Sequence, residues 1–271
     1  MLSTHMKLRL LETGFSHAAQ NMAIDEAVLN AVAAGDSPAT LRLYGWKPAA
    51  LSIGYFQSLS EEVDLEACKK MGVEYVRRMT GGGAVFHDEE ITYSIHIPER
   101  ACSELGVPLG ILESYAAICE GVLKGVAEIG KPGEPAVAGK FVPLNDLVAE
   151  FDGAWRKFSG NAQTRKQGVI VQHGTILLKV DVEKMFSLLK VPSEKLKGKL
   201  IADIKERVTS LSQVVGREVG FDEAAVALKK GFKKALHSCE FVAGELSEAE
   251  KAAAAEFAKT KYGSDVWNRK R

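Results

Sequence analysis

The chain has 271 residues, with 35 Lys and Arg against 35 Asp and Glu and a hydrophobic content of 46 %. A formal net charge of zero gives no electrostatic footprint for nucleic acid, and no apolar run approaches the ~18 residues of a membrane-spanning helix. The N-terminal MLSTHMKLRLLETG lacks the ~7–15-residue apolar centre of a secretory signal, so a cytoplasmic protein with no membrane partner is expected. The length suits a single domain over 1–271 with a sizeable core. Four cysteines (Cys68, Cys102, Cys119 and Cys239) lie far apart without a CxxC pair, and the six histidines form no HxxxH pair. Disulfides and a zinc site are therefore not expected.

In chain order, residues 16–34 place Ile24, Ala27, Val28 and Ala31 at helical spacing and end at Gly35. Thr40–Tyr44 and Ala50–Gly54 read as strands around a turn at Gly45–Pro48. Asp64–Met71 reads as a short helix, with Asp64 as N-cap and Gly72 past its end. Val73–Val76 is a strand leading into a glycine run, and Ile91–Ile97 alternates outward polar with inward apolar residues. Leu109–Ile129 predicts a long helix with an apolar face of Leu112, Tyr115, Ile118, Cys119, Val122, Val126 and Ile129, which makes Cys119 a core residue. Residues 130–144, rich in Pro and Gly, predict a loop. Asp152-Gly153 is a hairpin turn signal between Leu147-Val148-Ala149 and a second run through Phe158. A polar loop then precedes Val169-Ile170-Val171 and Thr175–Leu178. Val182–Leu189 and Phe221–Leu236 predict helices, and Ser247-x-x-Glu250 is a capping box that opens a last helix to about Tyr262. Helices around a hairpin-rich, largely antiparallel centre give the α+β class.

The most informative segment is RRMTGGGAVFHD, residues 77–88. Three successive glycines lose much backbone entropy on folding and pack no side chain, so they suit a place of close main-chain approach or positive φ. Bare N–H groups beside guanidinium groups suit a phosphate or carboxylate. A charged glycine hairpin is the bland alternative. The run matches neither the Walker A nor the GxGxxG pattern.

NDLV at 145–148, RKFSGNAQ at 156–163 and HGTILL at 173–178 follow in order. Together with the glycine segment they resemble the lipoate–protein ligase and octanoyltransferase superfamily, relatives of the biotin–protein ligases. NMAIDEA at 21–27, LRLY at 41–44, IGYFQ at 53–57, RVT at 207–209 and the closing Trp267-Asn268 extend the resemblance over about 10–268. It implies a largely antiparallel sheet flanked by helices. It also implies an enzyme that activates lipoate with ATP and Mg²⁺ to lipoyl-AMP. The acyl group then passes to a lysine of a lipoyl-accepting carrier, such as a 2-oxoacid dehydrogenase E2 domain or the glycine cleavage H protein.

On this resemblance Lys157 is the central cation between acyl carboxylate and phosphate, which suits a compact ammonium; a solvated hairpin lysine is its ordinary alternative. Asp146 is the expected Mg²⁺ ligand, with Asn145 on phosphate or adenine; a plain Asn-Asp turn before a strand is the ordinary alternative. Gly81, Gly82, Gly83, Ala84 and Val85 cradle nucleotide and acyl chain, and Ser159, Gly160 and Gly174 border them. Strand alternation makes Arg78 the anion contact and turns Arg77 the other way. His87 and Asp88 read as a structural pair holding the loop. His173 is either a site residue or a core histidine. Phe86, Tyr55 and Phe56 are candidates for walls of the acyl tunnel.

Octanoyltransferases of the superfamily use a cysteine near the RK segment, whereas residues 130–172 contain none. A thioester route needs that thiol, so the ligase is the main expectation and the octanoyl-carrier-protein:protein N-octanoyltransferase is the alternative. A non-catalytic carrier-binding relative is a third reading, and a biotin–protein ligase is disfavoured by the missing GRGR-type loop. Many stand-alone ligases continue into an accessory domain after Trp-Asn. The end at Arg271 therefore raises the expectation of a separate accessory subunit, a compact one-domain ligase, or a non-ligase relative, since the octanoyltransferases share the short form.

Overall fold

The computed structural model describes residues 6–130, 136–237 and 239–270. Among these residues the strands are β1 (Met6–Ser16), β2 (Thr40–Trp46), β3 (Ala50–Ile53), β4 (Glu74–Arg77), β5 (Val85–His87), β6 (Glu90–Pro98), β7 (Gly139–Val142), β8 (Asp146–Phe151), β9 (Ala154–Lys166), β10 (Val169–Leu177) and β11 (Cys239–Gly244). Eight form a mixed sheet in the order β11-β1-β2-β6-β10-β9-β8-β7, and β4-β3-β5 form a small second sheet. The α+β expectation holds.

Helices cover both faces of the large sheet. On one side Ile111–Val126 packs against Phe221–Ala235. There Ile118, Cys119, Val122 and Phe232 close a core with Leu41, Leu43, Tyr93 and Ile95. On the other side Ala18–Ala34 packs against Glu248–Phe257. Covering both faces buries all of β6, so its alternation is not the outward-polar pattern expected. Thr92, Ser94 and His96 face a buried polar network beneath the first helix instead, where Ser94 donates to Asp25 Oδ1 at 2.8 Å and Arg42 Nη1 reaches the same oxygen at 2.7 Å.

Several boundaries follow local chemistry. The Asp64 carboxylate accepts from Ala67 N at 2.9 Å, Gly72 is left-handed, and Ser247 with Glu250 forms the reciprocal capping box. Asp152 and Gly153 both have positive φ, 53° and 70°, as a tight hairpin of this hand requires. The long helix begins only at Ile111, and Leu112 is exposed rather than part of its inner face. Part of the expected loop 130–144 is the edge strand β7, while 131–135 lie outside the described residues. The polar stretch Asn161–Lys166 continues β9 rather than forming a loop, because it pairs with β10 up to Lys166↔Val169. Strands β1 and β11 and the helices Glu194–Arg207 and Leu211–Val215 were not expected from the sequence pattern.

Candidate active site

Two cavities meet at Lys157. The first, of about 180 Å³, lies among Tyr44, Trp46, Gly82, Gly83, Asn145 and His173. The second, of about 310 Å³, is walled by Phe86, Leu177, Met185, Ile204 and Val208, with Ser159 and Glu90 also on its lining. Ala84, Val85, Lys157, Gly160 and Thr175 border both.

A register shift positions the lysine. Ser159 pairs with Leu147, but the next β8 residue, Val148, pairs with Lys157, so Phe158 is the extra residue of a bulge. Bulges re-aim side chains. Here Phe158 fills the core while Lys157 stays about 40 % exposed at the junction. Its ammonium lies 2.7 Å from Asp146 Oδ1, and its backbone oxygen accepts from Thr209 N at 2.8 Å. Gly160 leaves the space the ammonium occupies, since a Cβ there would stand 3.0 Å from both Cε and Nζ.

The glycine loop is braced from below. Gly82 has φ 97°, a left-handed value that favours glycine. Its carbonyl lies so close to Gly54 that a Cβ at 54 would overlap it. Gly82 and Gly83 border the first cavity, whereas Gly81 borders neither. Arg78 lines the first cavity, but its Nη1 donates to Ser52 O and Oγ at 2.7 and 2.8 Å. Its Nη2 donates to Gly81 O and Gly83 O at 3.0 and 2.9 Å. Those donors hold the loop instead of standing open to an anion, because backbone carbonyls inside the fold need partners. Arg77 does turn away, to bind the carbonyls of Gly54, Gln57, Trp267 and Asn268.

His173 combines both expected readings. It lines the first cavity and is buried, with Nε2 at 2.8 Å from Thr80 Oγ1 at the head of the glycine run. Burial holds its pKa below the usual imidazole value, so it is neutral at neutral pH. Its Nδ1 is 3.8 Å from Asp25 Oδ2, too long for a hydrogen bond.

His87 and Asp88 do not pair with each other. His87 contacts Ser52 Oγ through Nε2 at 2.6 Å and Glu90 Oε1 through Nδ1 at 2.8 Å, and it stacks on Trp46. Asp88 instead meets Lys184 Nζ at 2.6 Å. Tyr55 and Phe56 line neither cavity. They meet edge to face by the C-terminal Trp267, with Phe56 exposed. Phe86 alone of the three aromatics walls a cavity. Asn145 borders the first cavity with Nδ2 bound to Asn161 O at 2.6 Å, and Gly174 lies at its wall.

Trp46 and Glu90 border the cavities outside every quoted motif, and Tyr44 enters only as the end of the LRLY match, two residues short of Trp46. Among the described residues no group of three or more His, Cys, Asp or Glu is placed to hold a metal ion. Asp146 is nevertheless the kind of single carboxylate that Mg²⁺ combines with phosphates and water.

None of the four thiols borders either cavity. Cys119 is buried under Gln172, whose Nε2 donates to its sulfur at 3.5 Å, and burial pushes its pKa up to about 12. Cys68 is likewise pushed up to about 11 by burial.

The lipoyl protein ligase A/B catalytic domain profile matches residues 17–233. The chain belongs to that family. It is 41 % identical to the octanoyltransferase LipM of Geobacillus kaustophilus over 97 % of this chain and 98 % of that protein. It is 37 % identical to the Bacillus subtilis LipM over 97 % and 98 %. Among solved structures, the bipartite lipoate protein ligase system of Thermoplasma acidophilum superposes with a TM-score of 0.83 at 30 % identity, covering 98 % of this chain and 96 % of that one. A lipoate-protein ligase A bound with ATP superposes with a TM-score of 0.76 at 29 % identity, covering 98 % and 99 %. The chain is thus an enzyme of the lipoate ligase and transferase group. No helix among its described residues is long and apolar enough to cross a membrane.

Proposed function

We propose that the chain transfers an eight-carbon acyl group, octanoyl or lipoyl, to a lysine of a lipoyl-accepting protein domain. The observation that carries this reading is the position of the Lys157 ammonium where two cavities join. A cation there can polarise an acyl carbonyl and offset the charge that develops on its oxygen. Relatives about 40 % identical that are named octanoyltransferases support octanoyl as the group moved. The pairing of a lipoate ligase with its E2 lipoyl domain in the Thermoplasma system supports a lipoyl domain as acceptor.

A second reading, ATP-dependent lipoate ligation, is favoured by the thiol-free surroundings of Lys157. An acyl-enzyme thioester needs a sulfur beside the reacting carbonyl. In this reading Mg²⁺ would take Asp146 once phosphate competes for Lys157, and a second polypeptide would complete the ligase as in a bipartite system. The adenylate supplies an activated acyl carbonyl, and the family's ATP-bound structure is consistent with such a donor.

One experiment separates them. An octanoyl carrier-protein thioester, and in a parallel reaction octanoate or lipoate with ATP and Mg²⁺, are offered with a lipoyl domain, and the domain's mass is read. Acylation from the thioester alone supports the transferase, and acylation that requires ATP supports the ligase. Acylation from neither rejects both.

A further inference from the structure

Asn161 clasps Asn145 at the start of β8. Its side-chain Nδ2 and its main-chain N both donate to Asn145 O, at 2.9 and 3.0 Å. Asn145 Nδ2 donates back to Asn161 O at 2.6 Å. The neighbouring residues, Asp146 and Gly160, pair across β8 and β9, and Asp146 carries the carboxylate that meets Lys157.

The Asn161 carboxamide is held in one orientation. Gln172 Nε2 donates to Tyr93 Oη at 2.7 Å, so the single Tyr93 proton goes to Asn161 Oδ1, also at 2.7 Å, and Nδ2 faces Asn145. Burial holds the Tyr93 hydroxyl well above the usual phenol pKa, so that proton stays in place. Gln172 is fixed in turn, because its Oε1 accepts from Gln163 Nε2 at 3.0 Å. Tyr93, Asn161 and Gln172 are all buried. Gly174 makes the room: it pairs with Asn161 across β9 and β10, and a Cβ on it would stand 1.9 Å from Asn161 Oδ1. The sheet alone needs none of this. A buried amide is costly unless its polar atoms are paired, and an apolar residue at 161 would keep the same main-chain bonds. What the amide adds is a second donor on the Asn145 carbonyl, aimed from one side only.

We propose that Asn161 is a positioning residue for acyl transfer. Oriented by Tyr93, it fixes Asn145 at the wall of the first cavity and, one residue on, the Asp146 carboxylate against Lys157. This rests on the reading that Lys157 acts on the acyl carbonyl, and it holds for a thioester or an adenylate donor alike. Tyr93 borders neither cavity and acts through Asn161.

The test uses the full chain with a preformed octanoyl donor and a lipoyl domain. Asn161→Ala should lower kcat by roughly tenfold or more, since displacing a catalytic group by about 1 Å can be that costly. KM for the domain should stay within about twofold, because the interaction lost serves the transition state and not domain binding. Tyr93→Phe keeps the ring packed on Phe232 and removes the hydroxyl that orients Asn161, so it should lower kcat in the same way by a smaller factor. The double variant should be no slower than Asn161→Ala alone, because two residues acting through one group are not additive. Wild-type kcat in both single variants, KM rises in place of kcat losses, or losses that multiply in the double variant overturn the proposal. If Asn161→Ala does not fold, Tyr93→Phe decides, and wild-type kcat there overturns it. A crystal structure of Tyr93→Phe gives a check without turnover: Asn145 or the Asp146–Lys157 pair should move by roughly 0.5 Å or more, the tolerance of a working site. An unmoved Asn145 with the 2.7 Å pair intact overturns the proposal. A wild type that acylates no domain from any donor would reject the reading of function itself, and that crystal structure would still decide the positioning.

Discussion

Gly160 and Lys157 are fitted to each other: the space a side chain at 160 would fill is the space the Lys157 ammonium holds, with only 3.0 Å between a built Cβ and Nζ. The displaced atoms would be the tip of a flexible, part-exposed side chain, so the fold can yield there. Gly160→Ala is therefore expected to change stability by less than about 1 kcal/mol. It should lower acyl transfer by roughly tenfold or more, because a shift of about 1 Å in a catalytic group can be that costly. Thermal melts beside transfer rates check this. A large fall in melting temperature with normal specific activity would show that the glycine serves the fold only.

Lys157→Ala should abolish transfer from either donor while the fold survives. Lys157→Arg should not restore it, since a planar fork cannot replace a compact ammonium. Rates at saturating donor, with circular dichroism as the folding control, decide it. Turnover by the alanine variant above a few per cent of wild type, about 2 kcal/mol in barrier, would remove Lys157 from the mechanism.

The C-terminal Trp267-Asn268 has its role in Arg77. That buried guanidinium donates to the carbonyls of Trp267 and Asn268 at 3.0 and 2.8 Å and to those of the 54–57 turn. Removing it leaves several buried carbonyls without donors. Arg77→Ala should lower unfolding free energy by at least about 3 kcal/mol, and Arg77→Lys should recover little of it. Urea titration is the measurement, and a loss under about 1 kcal/mol would contradict the bracing role.

Acid sensitivity should come from His96. Burial, with the Arg42 charge nearby, outweighs the opposing Asp25 carboxylate and lowers its pKa to about 4 in the folded chain, against about 6.5 unfolded. Between those values the unfolded chain binds the extra proton, so stability is lost as pH falls from about 6.5 to about 4 and levels off below. Up to about 3 kcal/mol is at stake. His173, also lowered by burial, acts in the same direction. Melts across this window should show the decline, and His96→Gln should flatten it. A wild type equally stable at both ends would contradict the assignment.

Parts of the fold around the candidate site were legible in the sequence because they are carried by local signals. The Asp152-Gly153 turn, the Asp64 cap and the order of the four motifs each survive in the structure. Other features depend on tertiary pairing. The polar Asn161–Lys166 becomes strand only because β10 lies beside it, and β11 forms as a parallel edge on β1 from residues 233 positions away, Met6 pairing with Cys239. Nothing local marks Arg78 as a brace rather than an anion contact, since that depends on carbonyls it meets after folding. Nothing local marks Glu90 either, because its contacts with His87 and Thr92 form only on folding.

The central claim is that acyl transfer at Lys157 proceeds without an acyl-cysteine. Intact-mass spectrometry of wild type and of a variant with Cys68, Cys102, Cys119 and Cys239 replaced by Ala or Ser, each quenched during turnover of an octanoyl donor with a lipoyl domain, tests it most directly. The account predicts that the domain gains the acyl group with both proteins and that neither enzyme carries a thioester. A wild-type octanoyl thioester, lost together with activity in the cysteine-free variant, would contradict it.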